Sequence, residues 1–148
     1  PWMNCHFDFE RRNLMVDSNN EIAVIDFQDL CIGPVGIDLA GIIVDHYISY
    51  SDELINNALK HYIESSQLDV SVKDVFEWLR WGGVQRNMRI LGTLSNLYIQ
   101  DNRTFRLKDL PGILKNLITL IPNDEFMSLK EHLSSAVMPK LHEELEAL

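Results

Sequence analysis

Two short β-prone runs near the start of the chain set the frame for its fold. Leu14-Met15-Val16 and Ile22-Ala23-Val24-Ile25 are separated by Asp17-Ser18-Asn19-Asn20-Glu21, a polar stretch with turn chemistry. The pattern predicts one small hairpin. Gly33-Pro34 and Gly36 then punctuate a loop, and beyond them the apolar spacing is helical. Leu39, Ile42, Ile43 and Tyr47 predict a helix from Asp38 to about Tyr47. Ser51 is suited to cap a second helix running to about Ser65, with Asp52 and Glu53 at the positive end of its dipole. Ser71-Val72-Lys73-Asp74 reads as a capping box with Asp in place of Glu, opening a helix through Trp78 and Trp81. Gly82-Gly83 either bends that helix or lets another element approach closely. Helices over Asp109 to Leu120 and Asp124 to about Ser134, and a last one after Pro139, complete a helical lobe with a small β appendage, an α+β class.

Composition bounds the function. With 148 residues, 46% hydrophobic and 24% charged, the chain has material for one globular domain and its core, hardly for two. Thirteen Lys and Arg face 22 Asp and Glu, a net charge of −9, which argues against a general nucleic-acid binder. Cys5 and Cys31 form no C-x-x-C pair, which suggests a reducing compartment, no thiolate metal site, and two buried thiols. No apolar run approaches the ~18 residues of a membrane span, and no signal peptide is visible, so the expectation is a cytoplasmic protein without a membrane partner.

The dense polar cluster is Cys5-His6-Phe7-Asp8-Phe9-Glu10-Arg11-Arg12-Asn13, followed by Ile25-Asp26-Phe27-Gln28-Asp29. Asn13 and Asp26 flank the two hairpin strands, so two acidic groups and an amide gather at its ends. Oxygen ligands suit Mg²⁺, which takes only one or two carboxylates plus substrate phosphates. An aspartate upstream of the amide could accept the proton of an attacking hydroxyl. This is the logic of phosphoryl transfer: position the nucleophile, clamp the phosphates, neutralise the developing charge.

On these residues the sequence resembles a known family. His6-x-Asp8-x4-Asn13 with Ile25-Asp26-Phe27 is similar to the catalytic and metal-binding loops of the aminoglycoside phosphotransferase and choline kinase-like fold, distantly related to protein kinases. Gly33-Pro34-Val35-Gly36-Ile37-Asp38-Leu39-Ala40 resembles that family's G-x-x-x-x-D-L-A segment. His6 to Met15, Asp26-Phe27-Gln28-Asp29 and Trp81 to Gly92 further resemble the bacterial anomeric kinases of N-acetylmuramate and N-acetylglucosamine, which act in peptidoglycan recycling. The resemblance implies Asp8 as catalytic base, Asn13 and Asp26 as magnesium ligands, and ATP as co-substrate. It implies that His6 braces the catalytic loop and that Asp38 bonds the loop backbone, unless Asp38 is a helix N-cap. Arg12 would stabilise the transferring phosphoryl group or remain a solvated charge, as Arg11 also could. Asp29 either reaches a sugar hydroxyl or ends a turn. Gln85, Arg86 and Arg89 either line an acceptor pocket or form surface ion pairs. Trp78 and Trp81, three residues apart, are read as core in preference to sugar-stacking platforms.

Two positions depart from the wider family: Phe7 stands where protein kinases have Arg, and Gln28 where they have Gly. Neither removes an implied ligand. The sequence also holds no glycine-rich strand-turn-strand and no Lys–Glu pair for a triphosphate. Together with a first residue, Pro1, that is not Met, this suggests that residues 1–148 are the C-terminal catalytic lobe of a longer kinase. The N-terminal lobe of the same polypeptide would then be its partner, and the lobe alone would be inactive. The acceptor would be an amino sugar; an aminoglycoside, choline, or a non-catalytic binding module are the alternatives.

Overall fold

The computed structural model describes all of residues 1–148. Four short strands form two separate antiparallel ribbons. Strand β2 (Leu14–Val16) pairs with β3 (Ile22–Val24) in the register Leu14 to Val24 and Val16 to Ile22, the expected hairpin. Its turn is folded by Asp17, whose carboxylate accepts the amides of Asn19 and Glu21, each at 2.8 Å.

The other ribbon is not foreshadowed by the sequence pattern. Strand β1 (Trp2–Cys5) pairs with β4 (Cys31–Pro34), so Gly33-Pro34 ends a strand where a loop is expected. Gly33 leaves room for the Phe7 side chain. A Cβ at Gly33 would lie 2.5 Å from the Phe7 ring. Cys5 is fully buried, and burial together with nearby Asp38 pushes its thiol pKa up. Cys31 is exposed, so only one of the two thiols is buried.

Six α-helices follow, in the expected number: α1 (Gly36–Ile43), α2 (Asp52–Ser66), α3 (Val72–Asp101), α4 (Leu110–Leu120), α5 (Asn123–His132) and α6 (Met138–Glu146). A wide π-type stretch, Leu133–Val137, continues α5 into α6. Helix α1 stops four residues before Tyr47 because the Asp45 carboxylate captures the Tyr47 amide at 2.6 Å and turns the chain. Ser51 caps α2 by accepting from the Leu54 amide at 3.2 Å. At the start of α3 the box is reciprocal. Ser71 donates its amide to Asp74 at 2.9 Å, and Asp74 donates its own to the Ser71 hydroxyl at 3.2 Å. The Ser71 side chain and amide together hold the Asp74 carboxyl below its ordinary pKa.

Helix α3 runs on through Gly82-Gly83, and close approach is what these glycines serve. A Cβ at Gly82 would collide with the Gly36 carbonyl, and one at Gly36 with the Trp78 carbonyl, so α1 begins directly against the α3 backbone.

The chain divides into two compact units, Pro1–Gly83 and Val84–Leu148. Each has its own apolar centre. In the first, Leu59, Val75 and Leu79 pack with Leu39, Ile43, Ile55 and Trp78. In the second, Leu94, Leu107, Leu110 and Ile113 form one cluster and Leu114, Leu117 and Ile121 another. Trp78 is therefore core as expected, but Trp81 is exposed, with the Arg80 guanidinium 5.9 Å from its ring. No helix is long and apolar enough to cross a membrane.

Candidate active site

The polar cluster lies in the first unit, on the loop between β1 and β2 and on the stretch after β3. Residues 6 and 7 are gripped from α1. Asp38 accepts the His6 amide on Oδ2 at 2.6 Å and the Phe7 amide on Oδ1 at 2.9 Å. Phe7 sits at φ 66°, a left-handed conformation that an aromatic residue rarely adopts, so these two bonds hold a costly backbone in place. Asp38 does not cap α1. It lies in the first turn, and the cap position belongs to Val35, which makes no side-chain cap bond.

His6 ties this loop to the next. Its buried ring donates Nε2–H to the Ile25 carbonyl at 2.9 Å, immediately before Asp26. The Ile25 amide in turn donates to the Asn13 carbonyl at 3.0 Å, so the backbones bearing Asn13 and Asp26 are joined directly. The other ring nitrogen, Nδ1, is buried without a hydrogen-bond partner. His6 and Asp38 also border a cavity of about 660 Å³ lined mainly by apolar residues, among them Phe27, Leu39, Ile42 and Leu59.

Asp8, Arg12 and Asn13 come together. The single turn Arg11–Asn13 carries Asn13 into a buried position, where its Nδ2 donates to the Asp8 carbonyl at 2.8 Å and to Asp8 Oδ2 at 3.3 Å. Arg12 Nη2 donates to the same Oδ2 at 2.8 Å, and Arg12 also pairs with Glu10. The Asp8 carboxylate is thus oriented from two sides. Asp26 has φ 64°, a region that Asp tolerates, and its Oδ1 accepts from Gln28 Nε2 at 3.1 Å.

No group of three or more His, Cys, Asp or Glu side chains is placed to hold a metal by itself. Magnesium does not demand one: it keeps waters and substrate phosphates and takes one or two protein oxygens. With the Asn13 amide nitrogen committed to Asp8, the oxygen of that amide and the Asp26 carboxylate are oxygen donors of the kind this demand calls for.

Asp29 occupies the exposed turn closed by the Leu30 amide on the Phe27 carbonyl at 3.1 Å. Gln85, Arg86 and Arg89 belong to the second unit. There Arg86 is buried beside buried Asn87, while Gln85 and Arg89 are exposed, so the two arginines do not share the environment their helical spacing suggests. Sequence reasoning missed Asp45, Glu10 and Gln28 as partners of the loops. For Asp45 the signal is an Asp directly after an apolar helical run, a common stop.

Comparison with known proteins bears on what this geometry does. A family described as "Phosphotransferase enzyme family" matches residues 1–80. Three curated relatives are each named "N-acetylmuramate/N-acetylglucosamine kinase". The protein of Neisseria meningitidis serogroup B is 29% identical over 122 residues, 79% of this chain and 36% of its own. That of Pseudomonas aeruginosa is 29% identical over 141 residues, 91% of this chain and 41% of its own. That of Pseudomonas putida is 29% identical over 116 residues, 75% of this chain and 34% of its own. The chain therefore matches only 34–41% of the length of these relatives.

Proposed function

The chain belongs to the phosphotransferase enzyme family, and we propose from that premise that residues 1–148 are the C-terminal catalytic lobe of a Mg²⁺- and ATP-dependent kinase. Its acceptor is the anomeric hydroxyl of an N-acetylated amino sugar, by analogy with the named relatives. The observation that carries the reading is the Asp8 carboxylate, oriented by Arg12 and Asn13 on a loop that Asp38 and His6 lock beside Asp26.

In this reading Asp8 accepts the proton of the sugar hydroxyl as its oxygen bonds to the γ-phosphorus and the bond to the departing diphosphate breaks. Asn13 and Asp26 would hold the metal, whose chemistry when bound would be to neutralise charge on the phosphates. His6 and Asp38 move no proton; they fix the loop so that the hydroxyl and the phosphate meet in line. Arg12, held beside the base by its bond to Asp8 Oδ2, is assigned to offset charge on the transferring phosphoryl group. The N-terminal lobe of the same polypeptide covers the nucleotide.

The test is a panel of acceptors with the full-length enzyme and Mg-ATP: N-acetylglucosamine, N-acetylmuramate, an aminoglycoside and choline. Phosphorylation of the amino sugars supports the reading; phosphorylation of only the aminoglycoside or choline replaces the acceptor. Asp8→Ala is expected to lower kcat by about 10²–10⁴-fold while sparing nucleotide binding, the usual weight of a general base. Turnover retained within a few-fold would remove Asp8 from the role. Absence of magnesium-dependent nucleotide binding by calorimetry would favour a non-catalytic module.

A further inference from the structure

The stretch between α1 and α2 has no part in the mechanism above, yet Asp45 binds it to the catalytic loop. Asp45 Oδ1 accepts the amides of Tyr47 at 2.6 Å and Ile48 at 3.2 Å, which folds its own loop. Asp45 Oδ2 accepts from Arg11 Nε at 2.7 Å, and Arg11 opens the single turn that carries Arg12 and Asn13. One carboxylate thus joins two loops 34 residues apart in sequence. The Asp45 side chain is 11% exposed and that of Arg11 44%, so the carboxylate end of the pair is sheltered while the guanidinium reaches solvent. Burial acts to raise the Asp45 pKa, but the Tyr47 amide and the Arg11 guanidinium outweigh it and hold the carboxyl below its ordinary value.

What the clamp presents is aromatic. The rings of His46 and Tyr47 lie with centroids 4.0 Å apart at 41°, and Tyr47 is 62% exposed. A tyrosine offers an apolar face and a polar tip, the combination that suits a pyranose with its C–H faces and equatorial hydroxyls. The anchor of this ledge, Arg11, is the neighbour in sequence of the arginine that touches Asp8.

Resting on the phosphotransferase reading, we propose that the Asp45–Arg11 clamp holds the Tyr47 ledge as one wall of the acceptor site, so that Tyr47 touches the sugar and Asp45 is a positioning residue. The clamp acts on the acceptor and leaves the nucleotide alone.

The experiment measures KM for N-acetylglucosamine and for Mg-ATP separately in the full-length enzyme. Tyr47→Ala is expected to raise the sugar KM about tenfold, the loss of one good contact, with the ATP KM unchanged within twofold. Asp45→Asn and Arg11→Gln are each expected to raise the sugar KM severalfold, and the double variant no further than either alone, because both remove one interaction. Thermal unfolding verifies that each variant is folded. Should Asp45→Asn fail to fold, Tyr47→Ala and Arg11→Gln decide the matter, since both change exposed or half-exposed side chains. An unmoved sugar KM, additive effects of the pair, or sugar and ATP constants moving together would each overturn the inference. If wild-type enzyme phosphorylates the sugar and Asp8→Ala does not, while the loop variants behave as wild type, this inference alone fails. If wild-type enzyme phosphorylates no sugar, the acceptor reading fails with it.

Discussion

At the scale of the residue, Asp38 concentrates the geometry of the site in a single side chain. Both of its oxygens are used, on consecutive backbone amides, and one of those residues is an aromatic in a left-handed conformation. Asp38→Asn replaces one acceptor oxygen with an NH₂ group that faces an amide donor, so a bond is lost and a repulsion gained. The expected cost is about 1.5–3 kcal/mol, the range for a hydrogen bond to a charged group, read as a lower urea midpoint at unchanged slope. A shift below about 0.5 kcal/mol would mean that the loop holds its shape without this grip. The residue also shows where sequence reading stops. An Asp at the start of an apolar helical run serves equally as a cap or as a brace, and what decides is a loop more than thirty positions away. The sequence groups His6, Asp8, Asn13 and Asp26 around one hairpin, and the structure joins the loops that bear them. Asp45 was not legible, because its partner Arg11 is distant in sequence and nothing local pairs them.

At the scale of the element, the helices were the readable part. Ser51 and the Ser71–Asp74 box are local chemistry, decided within four residues, and both form as their sequences indicate. The ribbon of β1 and β4 was not readable: its strands have four residues each, one ends in Gly-Pro, and their pairing is non-local. Gly82 falls between these cases, since the sequence left bend and close approach open and packing chose the second. Gly82→Ala puts a methyl group into the Gly36 carbonyl and the Ile37 amide, backbone atoms that cannot rotate away. The helical propensity gained, about 1 kcal/mol, is smaller than the overpacking cost of about 1–3 kcal/mol or more. The net expectation is a destabilised protein with a lower Tm, and α1, which carries Asp38, pushed off α3. A Tm equal to or above wild type would show that the two helices part without loss.

At the scale of the whole molecule, charge and apolar surface point the same way. The net charge is −9, and the two arginines of the catalytic loop are already engaged, Arg11 by Asp45 and Arg12 by Asp8 and Glu10. On the proposed reading, magnesium is expected to supply much of the positive charge that a polyanionic nucleotide requires. The hairpin tells a similar story through its apolar side chains. Met15, Val16, Ile22 and Val24 are all exposed, although a two-stranded hairpin on its own is marginal in water and large exposed apolar patches mark surfaces that something else covers. On the proposed reading, the N-terminal lobe of the same polypeptide is expected to cover this face. Residues 1–148 prepared alone are thus expected to bind a hydrophobic dye strongly and to transfer no phosphoryl group from Mg-ATP to N-acetylglucosamine. The full-length polypeptide is expected to bind less dye per mole, despite its greater size, and to turn over. The comparison is direct because both preparations contain the same Asp8, Asn13 and Asp26. Measurable turnover by residues 1–148 alone would show that the loops and metal suffice without a second lobe. Equal dye binding per mole would show that the hairpin face stays open in the complete enzyme and belongs to a different contact.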